Sequence, residues 1–137
     1  MGNYQTSLSF TNETDNIDIH QSIDLIDNKN HQNTPEEILH SFDATILQSP
    51  YTSLDNIKVL LLFCENDLII RTPNQDIIII YQCIIGWYRK NLIWGFITKE
   101  SSIVKKGDYL FQVSKPIEIC STIKNITTEL VEYYKNI

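Results

Sequence analysis

The most constraining feature of the sequence is a series of short apolar segments between residues 42 and 113, each bounded by turn-forming residues. They cover residues 42–47, 57–64, 68–72, 77–82, 92–98 and 109–113, with a further short one around Gly86. Segments of this length, separated by Asn, Asp, Pro and Gly, are typical of antiparallel strands joined by hairpins. Ile93 alternates with Trp94 and Phe96, which indicates a strand with one buried face. We therefore predict a sheet of six or seven strands, which bends or bulges at Gly86.

The last part of the chain has a helical period instead. The apolar positions after Ser114 and Pro116 fall at residues 119, 120, 123, 126, 130, 131 and 134. Charged residues such as Lys124 and Glu129 lie on the opposite face of a helix drawn with this spacing. The pattern predicts an amphipathic helix of about five turns over residues 117–134, which begins at Ser114 or Pro116 and packs against the sheet. The fold class expected from both patterns is mainly β with α, or α+β.

Charge divides the chain into two regions. Residues 1–57 contain nine acidic residues and one basic residue, Lys29, so their net charge is −8. Residues 58–137 carry +2, and the whole chain carries −6. A chain of 137 residues with 42% hydrophobic residues has the size and composition of one folded domain. We predict an acidic, polar and partly disordered leader over residues 1–41 and a folded domain over residues 42–137.

A helix start is indicated at the end of this leader. Thr34 has the residue type of an N-cap, Pro35 suits the first helical position, and two glutamates follow. The apolar side of this predicted helix consists of Ile38, Leu39 and Phe42.

Several classes of function are disfavoured by the sequence. The basic residues form no stripe, which argues against a nucleic-acid interface. Cys64, Cys83 and Cys120 lack the spacing of a zinc site or a disulfide framework, and the three histidines fall at spacings that favour solvated side chains. The sequence has no nucleophile, phosphate-loop or metalloprotease motif, so we predict no enzymatic activity, no metal and no cofactor.

Membrane insertion and secretion are disfavoured as well. The longest apolar run, residues 77–87, covers about half of the length needed to cross a bilayer. The first twenty residues lack the basic and apolar regions of a secretory signal.

The N-terminus carries the most specific short motif. The first six residues, Met-Gly-Asn-Tyr-Gln-Thr, fit the pattern for N-myristoylation, with Gly2 as the acceptor and Thr6 at the hydroxyl position. One myristoyl chain gives only marginal membrane binding, and an acidic leader is repelled by an anionic leaflet. A second attachment through the folded domain or through a protein partner is therefore expected.

The arrangement of strands followed by one helix resembles the pleckstrin-homology-like (PH-like) superfold. This superfold is shared by PH domains, phosphotyrosine-binding domains and the C-terminal lobe of FERM modules. The resemblance rests on residues 66–70, 77–81, 84–87, 92–96 and 109–113 before the helix, and it covers residues 42–135. It implies a bent antiparallel sandwich or barrel capped by the C-terminal helix, with a groove between one sheet edge and helix 117–134 that receives an added peptide strand.

Within this superfold, the chain length, the Met-Gly-Asn start and the polar leader look like the small N-myristoylated PH-fold proteins of the apicomplexan inner membrane complex. That likeness implies a non-enzymatic scaffold at the cytoplasmic face of a membrane, which binds proteins more than phosphoinositides. Members of that group place cysteines for palmitoylation beside the glycine, and this chain has no cysteine before Cys64. A palmitoylated relative at the membrane is therefore the partner that the likeness implies.

The anion sites of related domains are only partly matched. Phosphotyrosine-binding domains of the insulin-receptor-substrate type hold phosphate with two arginines, and here one position corresponds to Lys99 and the other falls near Ile85 and Gly86. PH domains bind inositol phosphates with basic residues around the first hairpin loop, which we assign to residues 65–67, Glu-Asn-Asp, a segment that is acidic. Phosphotyrosine recognition is therefore disfavoured and phosphoinositide binding is expected to be weak or absent.

The predicted contacts to a partner or an anion share either a basic side chain or an indole: Arg71, Arg89, Lys90, Lys99, Lys105, Lys106, Trp87 and Trp94. For the tryptophans, a place in the core is the alternative. The function predicted from the sequence is a scaffold tethered to a membrane through Gly2. The alternatives are a soluble peptide-binding adaptor without acylation, located in the cytoplasm, and a weak phosphoinositide reader.

Overall fold

The fold was obtained as a computed structural model, which describes residues 37–136. One sheet contains all seven of its strands: β1 (Ile38–Gln48), β2 (Lys58–Cys64), β3 (Asp67–Arg71), β4 (Asp76–Ile80), β5 (Ile84–Lys90), β6 (Ile93–Thr98) and β7 (Gly107–Val113). A single helix, α1 (Pro116–Lys135), follows. Every pair of neighbouring strands is antiparallel, in the order β4-β3-β2-β1-β7-β6-β5. The α+β class predicted from the sequence is confirmed, and the architecture is compatible with a PH-like fold.

Strand β1 joins the two halves of the sheet. Its residues from Ile38 to Thr45 pair with β2, and those from Ala44 to Gln48 pair with β7. Because only Ala44 and Thr45 pair on both sides, β4-β3-β2 and β7-β6-β5 extend from different parts of β1. Side chains of both halves belong to one buried cluster, so the sheet closes around a common core.

Aromatic side chains form the centre of that core. Trp94 is fully buried, and its ring centroid lies 6.0 Å from that of Phe63 and 5.4 Å from that of Phe96. The rings of Phe96 and Tyr109 stack at 4.7 Å. Edge and offset ring pairs at these distances add to the free energy gained by burying the rings. The rings link β2, β6 and β7 across the core.

Helix α1 packs against β5 and β6. Its apolar stripe includes Ile119, Ile123 and Ile126, which are 0%, 0% and 8% exposed. Pro116 occupies the first turn, where its missing N–H is not needed, and the basic Lys135 lies in the last turn, where it favours the helix dipole. The predicted helix over 117–134 is thus confirmed, and it begins at Pro116.

The helix predicted from Thr34 onward is wrong over the described residues. Ile38, Leu39 and Phe42 lie in β1, where Phe42 pairs with Leu61 of β2. A favourable N-terminal sequence is a local preference, and cross-strand pairing outweighs it here. The sheet therefore begins upstream of residue 42, the predicted start of the folded domain.

Two connections also differ from the prediction. Strand β4 ends at Ile80, and Tyr81–Cys83 form a 3-10 turn in which the Tyr81 hydroxyl donates a hydrogen bond to the Cys64 carbonyl oxygen. The first hairpin connection spans residues 49–57 between β1 and β2, so residues 65–67 belong to the second hairpin. Gly86 does lie at an irregularity, because the register of β5 and β6 shifts between Ile84 and Gly86.

Candidate functional site

Three connections lie at the same end of the sheet. They are the β1–β2 connection (residues 49–57), the β3–β4 turn (72–75) and the β6–β7 loop (99–106). The antiparallel register places them together, because Gln48 at the end of β1 pairs with Leu110 near the start of β7. The Lys105 ammonium group lies 5.0 Å from the centroid of the Tyr51 ring, which joins two of these connections. We call this end of the molecule the loop end.

Gly107 explains how closely the two connections approach. A Cβ atom at this position would lie 2.7 Å from Cγ of Pro50 in the β1–β2 connection. The φ angle of Gly107 is +150°, which side-chain-bearing residues rarely adopt. Glycine is therefore required here on two independent grounds.

The β6–β7 loop is held by buried hydroxyl groups. Thr98 is 1% exposed, and its hydroxyl donates toward the Lys105 carbonyl oxygen at 3.0 Å while accepting the Gly107 N–H at 3.1 Å. The Tyr109 hydroxyl donates to the same Lys105 oxygen at 2.7 Å. Burial raises the pKa of Tyr109 well above its usual range, so the phenol stays protonated and remains a donor. These bonds fix the backbone from which Lys105 projects.

Of the predicted anion contacts, the structure places four at the loop end. Lys99, Lys105 and Lys106 belong to or adjoin the β6–β7 loop. Arg71 lies beside the β3–β4 turn, where Nε and Nη2 donate to the two carboxylate oxygens of Asp76, each at 3.0 Å. This bidentate pair occupies the guanidinium fork that phosphate would need.

Arg89 and Lys90 do not join that group. They end β5 and precede the turn at Asn91, which lies at the opposite end of the sheet. The predicted basic residues are thus divided between two ends of the molecule, because consecutive antiparallel strands reverse direction. The single charged side chain in the first hairpin connection is Asp55. The loop end therefore combines a few lysines with acidic neighbours and does not form a concentrated basic pocket.

Trp87 and Trp94 are core residues. Trp94 is fully buried and Trp87 is 5% exposed, and both belong to the central buried cluster. Their pairing explains this, since Trp87 lies opposite Phe96 and both side chains point inward. The proposal that these indoles contact a partner is corrected accordingly: neither presents surface.

The two elements predicted to form the peptide groove, an edge strand and the C-terminal helix, lie next to each other. Strand β5 is the last strand of the sheet, and α1 packs beside it. Arg89 and Lys90 lie on this strand, while the helix exposes Ile117 near its start and Tyr133 near its end. An edge strand with a neighbouring helix offers main-chain hydrogen bonds and side-chain contacts to an extended peptide.

Residues 37–136 contain no group of three or more His, Cys, Asp or Glu side chains placed to hold a metal ion. Cys64 and Cys83 are buried, and Cys120 is partly exposed. Gly2 and the histidines at positions 20 and 31 lie outside the described residues. No helix among residues 37–136 combines the length and the hydropathy needed to cross a bilayer.

One exposed edge of the sheet was not predicted from the sequence. Strand β4 forms the other edge of the sheet, and Ile78 on it is 43% exposed. The signal was present in the run of four isoleucines at 77–80, because apolar and polar residues would alternate in a strand with a polar outer face.

No known protein-family model and no curated protein matches this chain.

Proposed function

We propose that this protein is a non-enzymatic scaffold, tethered to the cytoplasmic face of a membrane by a myristoyl group on Gly2, whose PH-like domain binds a protein partner. The observation that carries the protein-binding part is the position of β5. It is a sheet edge with a helix alongside, the arrangement that can accept an added strand. The tether rests on the Met-Gly-Asn-Tyr-Gln-Thr motif.

The charge distribution favours a protein partner over a phosphoinositide. High affinity for an inositol phosphate needs several basic side chains that converge on one point. Here Arg71 binds Asp76, and Arg89 and Lys90 lie at the end of the sheet opposite to Lys105. We expect phosphoinositide binding to be weak or absent, and no binding to nucleic acid.

The partner is a protein that already resides at the membrane. A single myristoyl chain binds membranes reversibly, and the net charge of −8 on residues 1–57 opposes contact with an anionic leaflet. A second attachment must come from elsewhere, and a palmitoylated relative supplies it most simply. The chain resembles small inner-membrane-complex proteins of apicomplexan parasites, so we propose that compartment as its location.

The tether is tested by the mass and the location of the protein from its native source. We expect a mass increase of one myristoyl group on the N-terminal peptide and a shift from the membrane fraction to the soluble fraction for Gly2→Ala. Asn3→Ala is the matched control, since it leaves the acceptor glycine in place. An unmodified Gly2, or membrane association that Gly2→Ala leaves unchanged, would favour the second candidate, a soluble cytoplasmic adaptor.

Phosphoinositide binding is tested with the unacylated chain and vesicles. We expect no more flotation with phosphatidylinositol-4,5-bisphosphate vesicles than with phosphatidylcholine vesicles. Two matched variants separate the two basic groups: Lys105→Ala with Lys106→Ala at the loop end, and Arg89→Ala with Lys90→Ala at the other end. Strong flotation that only the loop-end variant abolishes would contradict the proposal and support a lipid reader.

A further inference from the structure

The edge strand β4 lacks the features that normally keep a sheet edge from pairing. Such edges carry a lysine, a proline, a bulge or an inward-pointing charge. Strand β4 has the sequence Asp-Ile-Ile-Ile-Ile, and its register with β3 is regular from Asp76 to Ile80. Its one charged residue, Asp76, is neutralised by the bidentate pair with Arg71. The edge is therefore apolar, regular and without net charge.

The hydrogen-bond alternation of the hairpin shows which backbone groups face outward. The Thr72 N–H donates to the Gln75 carbonyl oxygen at 2.9 Å, so this pair at the turn is hydrogen-bonded. In an antiparallel ladder, hydrogen-bonded and non-hydrogen-bonded pairs alternate. Ile77 and Ile79 therefore bond to β3, whereas the N–H and C=O groups of Ile78 point away from the sheet. Within residues 37–136 no strand pairs on that side of β4.

The outer face beside this edge is apolar across three strands. The register places Leu62 of β2 opposite Ile69 of β3, and Ile69 opposite Ile78 of β4. Leu62 is 3% exposed, whereas Ile78 is 43% exposed. The aliphatic row thus becomes more exposed toward the edge, and it ends at the residue whose backbone groups face outward.

From this combination we infer that β4 is a self-association edge, which pairs antiparallel with β4 of a second copy of this chain around a two-fold axis at Ile78. Such a two-fold pairing is isologous, so each copy presents the same strand to the other. The two Ile78 residues then exchange both backbone hydrogen bonds, and Asp76 of each copy faces Ile80 of the other. The two aliphatic rows become one continuous row across the interface.

The position of the Arg71–Asp76 ion pair also favours the antiparallel arrangement. In a parallel, in-register pair the carboxylates of the two ion pairs would lie next to each other, although each ion pair is neutral as a whole. In the antiparallel pair the two carboxylates lie four residues apart along the strands, about 14 Å, which exceeds the screening length of about 8 Å at physiological salt. The arrangement requires no other protein, and it leaves β5 and α1 open, so it is independent of the proposed function.

Sedimentation velocity of the full-length chain over a range of concentrations tests the inference. We expect a reversible dimer, and Ile78→Pro is expected to raise its dissociation constant by at least about tenfold, because each dimer loses two central N–H donors. Ile78→Lys should act in the same direction by placing two like charges at the axis. Leu60→Lys is the matched control, since Leu60 is exposed on the same face but lies on β2, away from the edge; it should leave the dimer intact.

Cross-linking tests the geometry in a Cys120→Ser background, which removes the partly exposed thiol. Ile78→Cys places two Cα atoms about 5.5 Å apart in a hydrogen-bonded pair, so an ethylene-bridged bismaleimide should link the copies. Leu60→Cys places them about 28 Å apart, because five strand spacings across the sheet combine with about 14 Å along the strands, and these cysteines should not be linked. A chain that stays monomeric at the highest concentration, or a dimer that folded Ile78→Lys leaves unchanged, would overturn the inference. So would dimers that cross-link through Leu60→Cys and not through Ile78→Cys.

Discussion

The two edges of this sheet are built differently. Strand β5 carries a register shift at Gly86, ends in Arg89 and Lys90, and has α1 packed beside it. Strand β4 is regular, apolar and without a neighbouring strand on its outer side among residues 37–136. The two edges therefore suit different partners: β5 presents its backbone beside a helix, where an extended peptide fits, whereas the regular, apolar β4 lacks the features that keep a sheet edge from pairing with a second copy.

The interiors behind the two edges differ in the same way. The core side of β3 and β4 is aliphatic, as in Ile70 and Ile79, whereas β6 and β7 contribute Trp94, Phe96 and Phe111. The half of the sheet formed by β5, β6 and β7, which we call the aromatic half, also contacts the helix and holds the β6–β7 loop. Ring contacts and buried hydroxyl bonds are thus concentrated in that half, whereas β3 and β4 contribute aliphatic side chains to the core.

The largest loss of stability is expected on β4, where proline substitutions at two adjacent positions should differ strongly. Ile79→Pro should unfold the domain or destabilise it by more than about 3 kcal/mol, because it removes a ladder hydrogen bond to β3 and a side chain that is fully buried. Ile78→Pro should destabilise the folded chain far less, since its N–H points outward and proline is tolerated at such edge positions. Urea unfolding followed by circular dichroism measures both. Equal losses would show that the alternation along β4 is assigned incorrectly.

The second effect concerns the aromatic half. A Cβ atom on Gly95 would lie 2.6 Å from Cε1 of Tyr88 and 2.7 Å from the carbonyl oxygen of Tyr109. Gly95→Ala should therefore destabilise the domain by about 1–3 kcal/mol, measured as a lower urea midpoint. Adding Tyr88→Leu removes the ring contact but leaves the carbonyl contact, so it should relieve the clash only in part. Unchanged stability of Gly95→Ala would mean that the aromatic half accommodates the added Cβ atom.

Periodic features of the fold could be predicted from the sequence, and pairing-dependent features could not. The helix was predictable because its apolar positions repeat over five turns, and most strands were bounded by turn residues. Ile38 and Leu39 were assigned to a helix, because the Thr34-Pro35 signal is local whereas their pairing with β2 is not. A sequence pattern also does not show which strand ends at an edge, which depends on the topology of the whole sheet.

The candidate site shows the same division. Arg71 and Lys105 lie at one end of the sheet and Arg89 and Lys90 at the other, yet all of them looked equivalent along the chain. The burial of Trp94 was left open, because alternation indicates two faces of a strand but not which one is inside. The Thr98 hydroxyl that holds Lys105 could not be found from the sequence, since its partners lie seven and nine residues away across a loop.

The third prediction concerns the hydroxyl group of Thr98. Thr98→Val preserves the shape of the side chain but leaves the Gly107 N–H without its acceptor, so it should destabilise the domain by about 1–2 kcal/mol. Amide hydrogen exchange should increase at Gly107, whose N–H the Thr98 hydroxyl accepts. Ser101→Ala is the control, because it removes only the bonds from the Ile103 and Val104 N–H groups within the loop. If exchange at Gly107 rises equally in both variants, the loop is not anchored through Thr98.

The smallest expected effect is the contribution of the Arg71–Asp76 ion pair to the pH dependence of stability, which tests whether the β4 edge is neutral. The hydrogen bond from Arg71 lowers the pKa of Asp76, although both groups are exposed to solvent. Because the pKa is lower in the folded state, the stabilisation is complete above the ordinary aspartate pKa of about 4 and disappears as the pH falls through the folded-state value. Unfolding midpoints of the wild-type chain should therefore decrease slightly more than those of Arg71→Gln as the pH is lowered below this range. The difference should be a small fraction of the total stability, since exposed ion pairs are screened by water and salt, and it should vanish in Asp76→Asn.

Protonation of Asp76 leaves the Arg71 charge uncompensated at the β4 edge, so lowering the pH should also weaken the dimer. Identical pH profiles for the wild-type chain and Arg71→Gln would show that Asp76 is not neutralised by Arg71, and the charge argument for the β4 edge would then fail.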